Sequence, residues 1–158
     1  MRIEAYEPRH REAVVELSLR AWAPVFPSIE ASFEKDVYDA FFPDGWRKSQ
    51  QESVEGVCDA TDTRVWVAEE DDAVAGFVAV KRHSETYAEI YMIAVDPAFQ
   101  RRGIAMALTE FVLGWMRERG VSVAMVETGA DPGHGPARAT YEKAGFTLSP
   151  VARYFKKL

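Results

Sequence analysis

Cysteine is almost absent from these 158 residues. Cys58 stands alone, which excludes an intrachain disulfide and any multi-cysteine zinc site. Histidine is scarce too, and neither His10 nor His83 accompanies a metal-ligand pattern, so no metal is expected. No apolar run approaches the roughly 20 residues that a membrane-spanning helix needs. Met1 to Tyr6 lacks the apolar stretch of a signal peptide. There is no surplus of positive charge: 19 basic against 25 acidic side chains give a net charge of -6. That balance argues against non-specific nucleic-acid binding, which cationic contacts with phosphates drive. Internal repeats, low-complexity tracts and linkers are missing as well. What remains is an ordinary globular composition, 47% hydrophobic and 28% charged. The length fits one domain of roughly 100–200 residues. We expect a single domain over residues 1–158, cytoplasmic and reduced, with no nucleic-acid or membrane partner.

Arg2 to Tyr6 alternates polar and apolar residues and predicts a strand. Pro8 suits a helix start, and Val14, Leu17, Ser18 and Ala21 share one helical face up to about Trp22. Pro24 and Pro27 are expected to break that helix. Phe33, Val37, Phe41 and Phe42 fit a helical face, Pro43-Asp44-Gly45 is a turn, and Trp46 to Cys58 reads as another helix. Two strands, Arg64 to Ala68 and Val74 to Val80, flank the acidic tip Glu69 to Asp72 as a hairpin. Tyr87 to Val95 is a long β-prone run stopped by Asp96-Pro97. Ile104, Leu108, Phe111, Val112 and Trp115 then line one side of a helix that Gly120 stops. Val121 to Glu127 predicts a strand, and Pro136 to Lys143 a short helix ended by Gly145. Phe146 to Leu148 and Val151 to Lys156 are expected to supply the last one or two strands. The result is an α/β (α+β) fold: a mixed, mostly antiparallel central sheet of about six to seven strands flanked by helices. Its strand–helix–strand unit implies one parallel pair.

The most informative segment is Val95-Asp96-Pro97-Ala98-Phe99-Gln100-Arg101-Arg102-Gly103-Ile104-Ala105, between a strand and a helix. Backbone N–H groups in a first helical turn have no intrahelical partner, and the dipole there favours an anion. Gly103 lets a phosphate approach the backbone closely. This is neither the Gly-x-x-x-x-Gly-Lys phosphate loop nor the three-glycine dinucleotide turn.

Gln100-Arg101-Arg102-Gly103-Ile104-Ala105 resembles the Gln/Arg-x-x-Gly-x-Gly/Ala signature of the GNAT superfamily of N-acetyltransferases. Ala137 to Phe146, with Tyr141-Glu142-Lys143-Ala144-Gly145-Phe146, is similar to its second hallmark. The resemblance implies acetyl-coenzyme A as cosubstrate, its pyrophosphate held by backbone amides from Arg101 to Met106 beside Gln100. It implies a pantetheine arm bonded along Ile93, Ala94 and Val95 like an added strand. Arg138, on the second hallmark, would join the coenzyme contacts. Many members carry asparagine seven residues before the helix tyrosine, where this chain has His134. His134 is therefore either a replacement coenzyme contact or a helix-start residue.

Acetyl transfer to an amine needs a base, since an ammonium with an ordinary pKa near ~10.4 is not nucleophilic. It also needs donors for the developing oxyanion, and relief for the departing thiolate. Glu89 is the first candidate base, and Ala88-Glu89-Ile90 resembles the strand that carries the base in the histone-acetylating branch. Glu127 is the competitor, or a binder of the substrate ammonium. Tyr141 is the candidate acid, which the resemblance puts near the coenzyme sulfur. Trp22, Phe26 and the aromatics up to Trp46 suggest an acceptor cleft for a small-molecule or peptide amine, although many of them could be core. Glu30, Asp36, Asp39 and Asp44 could attract a cation. A homodimer is common in folds of this type. The rivals are a non-catalytic acyl-coenzyme A sensor on the same fold and a transferase of a longer acyl group.

Overall fold

Five strands form one sheet, ordered β1-β2-β3-β4-β5, in a computed structural model that describes residues 1–158. β1 (Arg2–Ala5), β2 (Thr63–Glu70), β3 (Ala73–Arg82) and β4 (Tyr87–Val95) pair antiparallel in turn. β5 (Val123–Val126) lies parallel to β4. Six helices complete the chain: α1 (Arg11–Trp22), α2 (Phe26–Ser32), α3 (Lys35–Phe41), α4 (Trp46–Asp59), α5 (Ile104–Glu118) and α6 (Gly135–Lys143). No helix is long and apolar enough to cross a membrane.

The sheet is the filling between two apolar layers. One cluster joins Val78, Val80, Ala88, Ile90 and Val95 to Ile104, Leu108, Val112 and Met116 of α5. The other joins Val67, Phe77 and Ala94 to Val14 and Leu17 of α1 and Val54 of α4. The α5 face differs by one position from the expected one: Met116 is buried and Phe111 is 38% exposed. Ile104, Leu108, Val112 and Met116 are spaced by four, so they form one inclined ridge that meets the sheet.

A bulge shapes β4. Ala79 pairs with Met92 and Val80 with Ile90, which leaves Tyr91 as an extra residue. The bulge shifts the alternation, so Ala88 and Ile90, then Ile93 and Val95, all face α5. Met92 and Ala94 face the other way.

Three expectations need correction. The sheet has five strands, not six or seven, because residues after Phe146 pair with nothing. Pro150 removes a ladder donor there. Side chains hold the segment instead: Phe155 meets Phe33 at 5.5 Å and Phe41 at 5.4 Å, and Lys157 Nζ lies 2.6 Å from Asp36. Pro27 opens α2 rather than breaking a helix, since the first turn needs no N–H from it. The strand expected over Val121 to Glu127 shortens to Val123–Val126, because Val121 N–H closes the end of α5 on Met116 O at 3.1 Å.

Candidate active site

β4 and β5 stay paired for only four residues, from Tyr87↔Val123 to Ile90↔Val126. β4 then runs on through Val95 with no strand on that side. The backbone of Tyr91 to Val95 therefore presents an open edge, next to the bulge, in the middle of the sheet. Such an edge is suited to an extended ligand.

The turn after β4 is tightly built. Asp96 is 6% exposed. Its carboxylate accepts from Ala98 N–H at 2.9 Å and from Arg20 of α1 at 2.7 and 3.0 Å. Gln100 Nε2 donates to Val95 O at 3.1 Å and closes the turn. Gly76 lies beneath: a Cβ there would come within 2.9 Å of Ala94 O. The glycine lets β3 and β4 approach where the chain leaves the sheet.

Arg101 (φ 61) and Gly103 (φ 83) both take left-handed backbone conformations. The first backbone bond of α5 runs from Ala107 N–H to Gly103 O at 2.9 Å, so the amides of Ile104, Ala105 and Met106 have no intrahelical partner. No backbone carbonyl accepts from Arg101, Arg102 or Gly103. An added Cβ at Gly103 would meet nothing within 4 Å. The corner is thus open, with a fan of main-chain donors, and its chemistry fits a diphosphate. Arg102 lies over the Phe99 ring, 5.1 Å from its centroid, and 3.9 Å from Asp71 of the β2–β3 tip.

Glu89 projects from the paired part of β4, opposite Lys81 on β3. Its side chain is 14% exposed, and its Oε2 lies 2.7 Å from His83 Nε2. The His83 ring stacks on Tyr87 at 5.0 Å. Tyr141, on α6, is 9% exposed, and its ring meets Phe146 edge-on at 6.0 Å. Burial pushes its phenol up to about 12.

The loop from β5 to α6 is locked by Asp131. Its carboxylate accepts from Ser28 Oγ of α2 at 2.7 Å and from Gly133 N–H at 3.1 Å, and meets His134 Nδ1 at 2.5 Å. Burial works to raise the Asp131 pKa. The hydrogen bonds from Ser28 and His134, and the charge of His134, outweigh it and hold the group below its ordinary value. Arg138 Nη1 donates to Gly129 O at 2.6 Å and Asp131 O at 2.8 Å.

Residues 28–146 match the model of the Acetyltransferase (GNAT) family. The chain belongs to the GNAT family. It is 33% identical over 143 residues to mycothiol acetyltransferase of Corynebacterium glutamicum, covering 85% of this chain and 47% of that protein. It is 35% identical over 85 residues to the [Ribosomal protein bS18]-alanine N-acetyltransferase of Salmonella typhimurium, covering 54% of this chain and 55% of that one. The chain spans about half the length of the curated relatives it matches first. In fold it matches the crystal structure of the ribosomal-protein-S18-alanine N-acetyltransferase from Escherichia coli, with TM-score 0.69 and 23% identity, over 94% of this chain and 79% of that one.

This GNAT-family chain brings some of the expected residues together and separates others. Ile93, Ala94 and Val95 lie on the open edge that leads into the amide fan from Arg101 to Met106. Ile104 turns its side chain into the core, 1% exposed, so only its backbone is available there. His134 and Arg138 are engaged by their own loop. Phe26 is buried in a stack, 4.4 Å from Trp46 and 5.3 Å from Phe42, while Trp22 packs partly buried against the α1 layer. Glu127 follows β5 as an exposed carboxylate paired with Arg153 at 3.1 Å. Lys157 pairs with Asp36, Lys35 with Asp39 and Lys48 with Asp44, which takes three of the four expected steering carboxylates. Two polar neighbours of the candidate site were not anticipated: His83, which only the fold of the β3–β4 hairpin turns onto Glu89, and Arg20, which reaches Asp96 across 76 positions. His10 is satisfied, its Nδ1 accepting from Glu7 N–H at 2.9 Å. Burial pushes the Cys58 thiol up, which opposes a nucleophilic role.

Proposed function

We propose that this chain is an N-acetyltransferase that moves the acetyl group of acetyl-coenzyme A to a primary amine by direct attack in a ternary complex. The observation that carries the reading is the open β4 edge running straight into unpartnered amides at Arg101 to Met106. One continuous stretch of backbone thus offers a strand partner and then an anion site. Acetyl-coenzyme A supplies the activated acyl group as a thioester. The amides at Gly103 to Met106 hold the diphosphate, and the Ile93 to Val95 backbone holds the arm. A backbone N–H of that strand faces the developing oxyanion.

Glu89 takes the proton from the acceptor ammonium, directly or through one water. The free amine then attacks. Tyr141 offers its O–H to the departing sulfur. The role of that hydroxyl follows from magnitude. Its pKa of about 12 lies above that of an ordinary thiol near ~8.5, so complete transfer runs uphill by roughly 5 kcal/mol. Hydrogen bonding to the thiolate is therefore its contribution, rather than full protonation.

The mycothiol and ribosomal-protein relatives act, by their names, on unlike acceptors. Ion pairing removes most of the expected cation steering. The test is a thiol-release screen with acetyl-coenzyme A across an amine panel, with mass spectrometry of the product. Release that depends on one amine class, with a product heavier by one acetyl group, supports the reading. Coenzyme bound without release for any amine overturns it in favour of a sensor. Faster release from a longer thioester overturns the acetyl assignment.

A further inference from the structure

We propose that His83 is a positioning residue for Glu89, and that it aims one carboxylate oxygen at the acceptor by holding the other. The inference rests on the reading of Glu89 as the base. Glu89 Oε2 lies 2.7 Å from His83 Nε2, a charge-assisted hydrogen-bond distance. Facing an ionised carboxylate, Nε2 carries the proton. Oε1 is then the oxygen left to receive a proton.

The histidine is itself held. Its ring stacks on Tyr87 at 5.0 Å with an interplanar angle of 26°. Its backbone N–H donates to Tyr87 O at 3.0 Å. Tyr87 O–H in turn reaches Met125 Sδ on β5 at 3.0 Å. The support thus runs from β5 through Tyr87 and His83 to Glu89. A carboxylate on a free three-torsion arm would instead sample several orientations. No other side chain in the structure hydrogen-bonds Glu89.

Proton balance is simple. The proton leaves the acceptor ammonium for Oε1 of Glu89 and passes on to water, while His83 keeps its own proton on Nε2. The surrounding charges are Lys81, opposite Glu89 and 3.1 Å from Asp62, and Arg82, Glu85 and Arg119 around the neighbouring hollow. Arg82 is bound to the carbonyls of Glu85 and Arg119, and the β5 residues Val123 to Val126 carry no ionisable side chain.

The experiment compares His83→Ala, His83→Gln and Glu89→Gln, with kcat measured at saturating acetyl-coenzyme A and amine. Coenzyme affinity is read by calorimetry. A hydrogen bond to a charged group is worth enough that His83→Ala should lose about tenfold or more in kcat, with coenzyme affinity unchanged. Glutamine places an N–H near the site of Nε2. His83→Gln should therefore recover to within about threefold of wild type. Wild-type kcat in His83→Ala, with Glu89→Gln inactive, overturns the positioning role alone. Equal loss in both His83 variants does the same. Full turnover by Glu89→Gln overturns the base reading and the positioning role with it.

Discussion

Tyr141→Phe tests burial and chemistry at once. The hydroxyl is enclosed on α6, and burial pushes its pKa from 10.0 to about 12. A hydrogen bond from this phenol to a thiolate contributes about 1.5–3 kcal/mol, so the variant should lose about 10- to 100-fold in kcat. Coenzyme affinity should stay nearly constant, because the bond strengthens only as charge builds on sulfur. The same shift has a stability consequence. The folded pKa lies above the unfolded value, so the folded state binds the phenolic proton more tightly. Its contribution is intact below about pH 10 and is lost as pH climbs through about 12. For wild type that loss amounts to about 2 kcal/mol at about pH 11.5, approaching about 3 kcal/mol beyond it. The phenylalanine variant has no such group. Urea unfolding of both proteins, at neutral pH and in alkali, should show the wild type losing this increment relative to the variant. A kcat loss beyond about a thousandfold would reveal full proton transfer and refute the hydrogen-bond argument. Parallel alkaline curves would refute the burial argument.

Other perturbations address the scaffold. Gly103→Glu forces a left-handed residue, at a strain of roughly 1–2 kcal/mol, and sets a carboxylate among the amide donors; calorimetry should detect no coenzyme binding while circular dichroism shows the fold retained. Gly76→Val drives a side chain into Ala94 O, 2.9 Å from the Cβ alone, and should cost about 1–3 kcal/mol by urea unfolding along with weaker coenzyme binding. Asp131→Asn removes a carboxylate whose pKa is depressed in the fold. Wild-type stability from that group is present above the ordinary carboxylate range and is lost as pH falls through the folded value, so the variant should be less stable near neutrality and flatter on the acid side in unfolding measurements.

The geometry of the candidate site was legible where it sits on contiguous backbone. Asp96-Pro97 and Gly103 announce a strand, a corner and a helix, and the amides between them need no distant partner to be exposed. Glu89 was read as a candidate from its apolar strand neighbours and the resemblance of Ala88-Glu89-Ile90. His83 was not, since sequence spacing of six says nothing about which ring nitrogen meets which oxygen. The aromatic section was harder still. Phe26 stacks on Trp46 and is core, whereas Phe41 remains half open, and periodicity in seven-residue helices cannot separate them.

By itself the sequence determined what local forces settle: the places of β1 to β5 and of α1, α4, α5 and α6, the parallel step through α5, and the open corner at Gly103, but neither α2 nor the lack of a strand after Phe146. Each follows from alternation, four-residue spacing or a missing Cβ, and each acts within about one turn or one hairpin. The tertiary structure alone decided how far β5 follows β4, that Phe155 and Lys157 secure the last segment in place of strand pairing, and which polar groups meet across the core. Those outcomes depend on contacts between residues far apart in the chain, whose energies appear only once the sheet has brought them together.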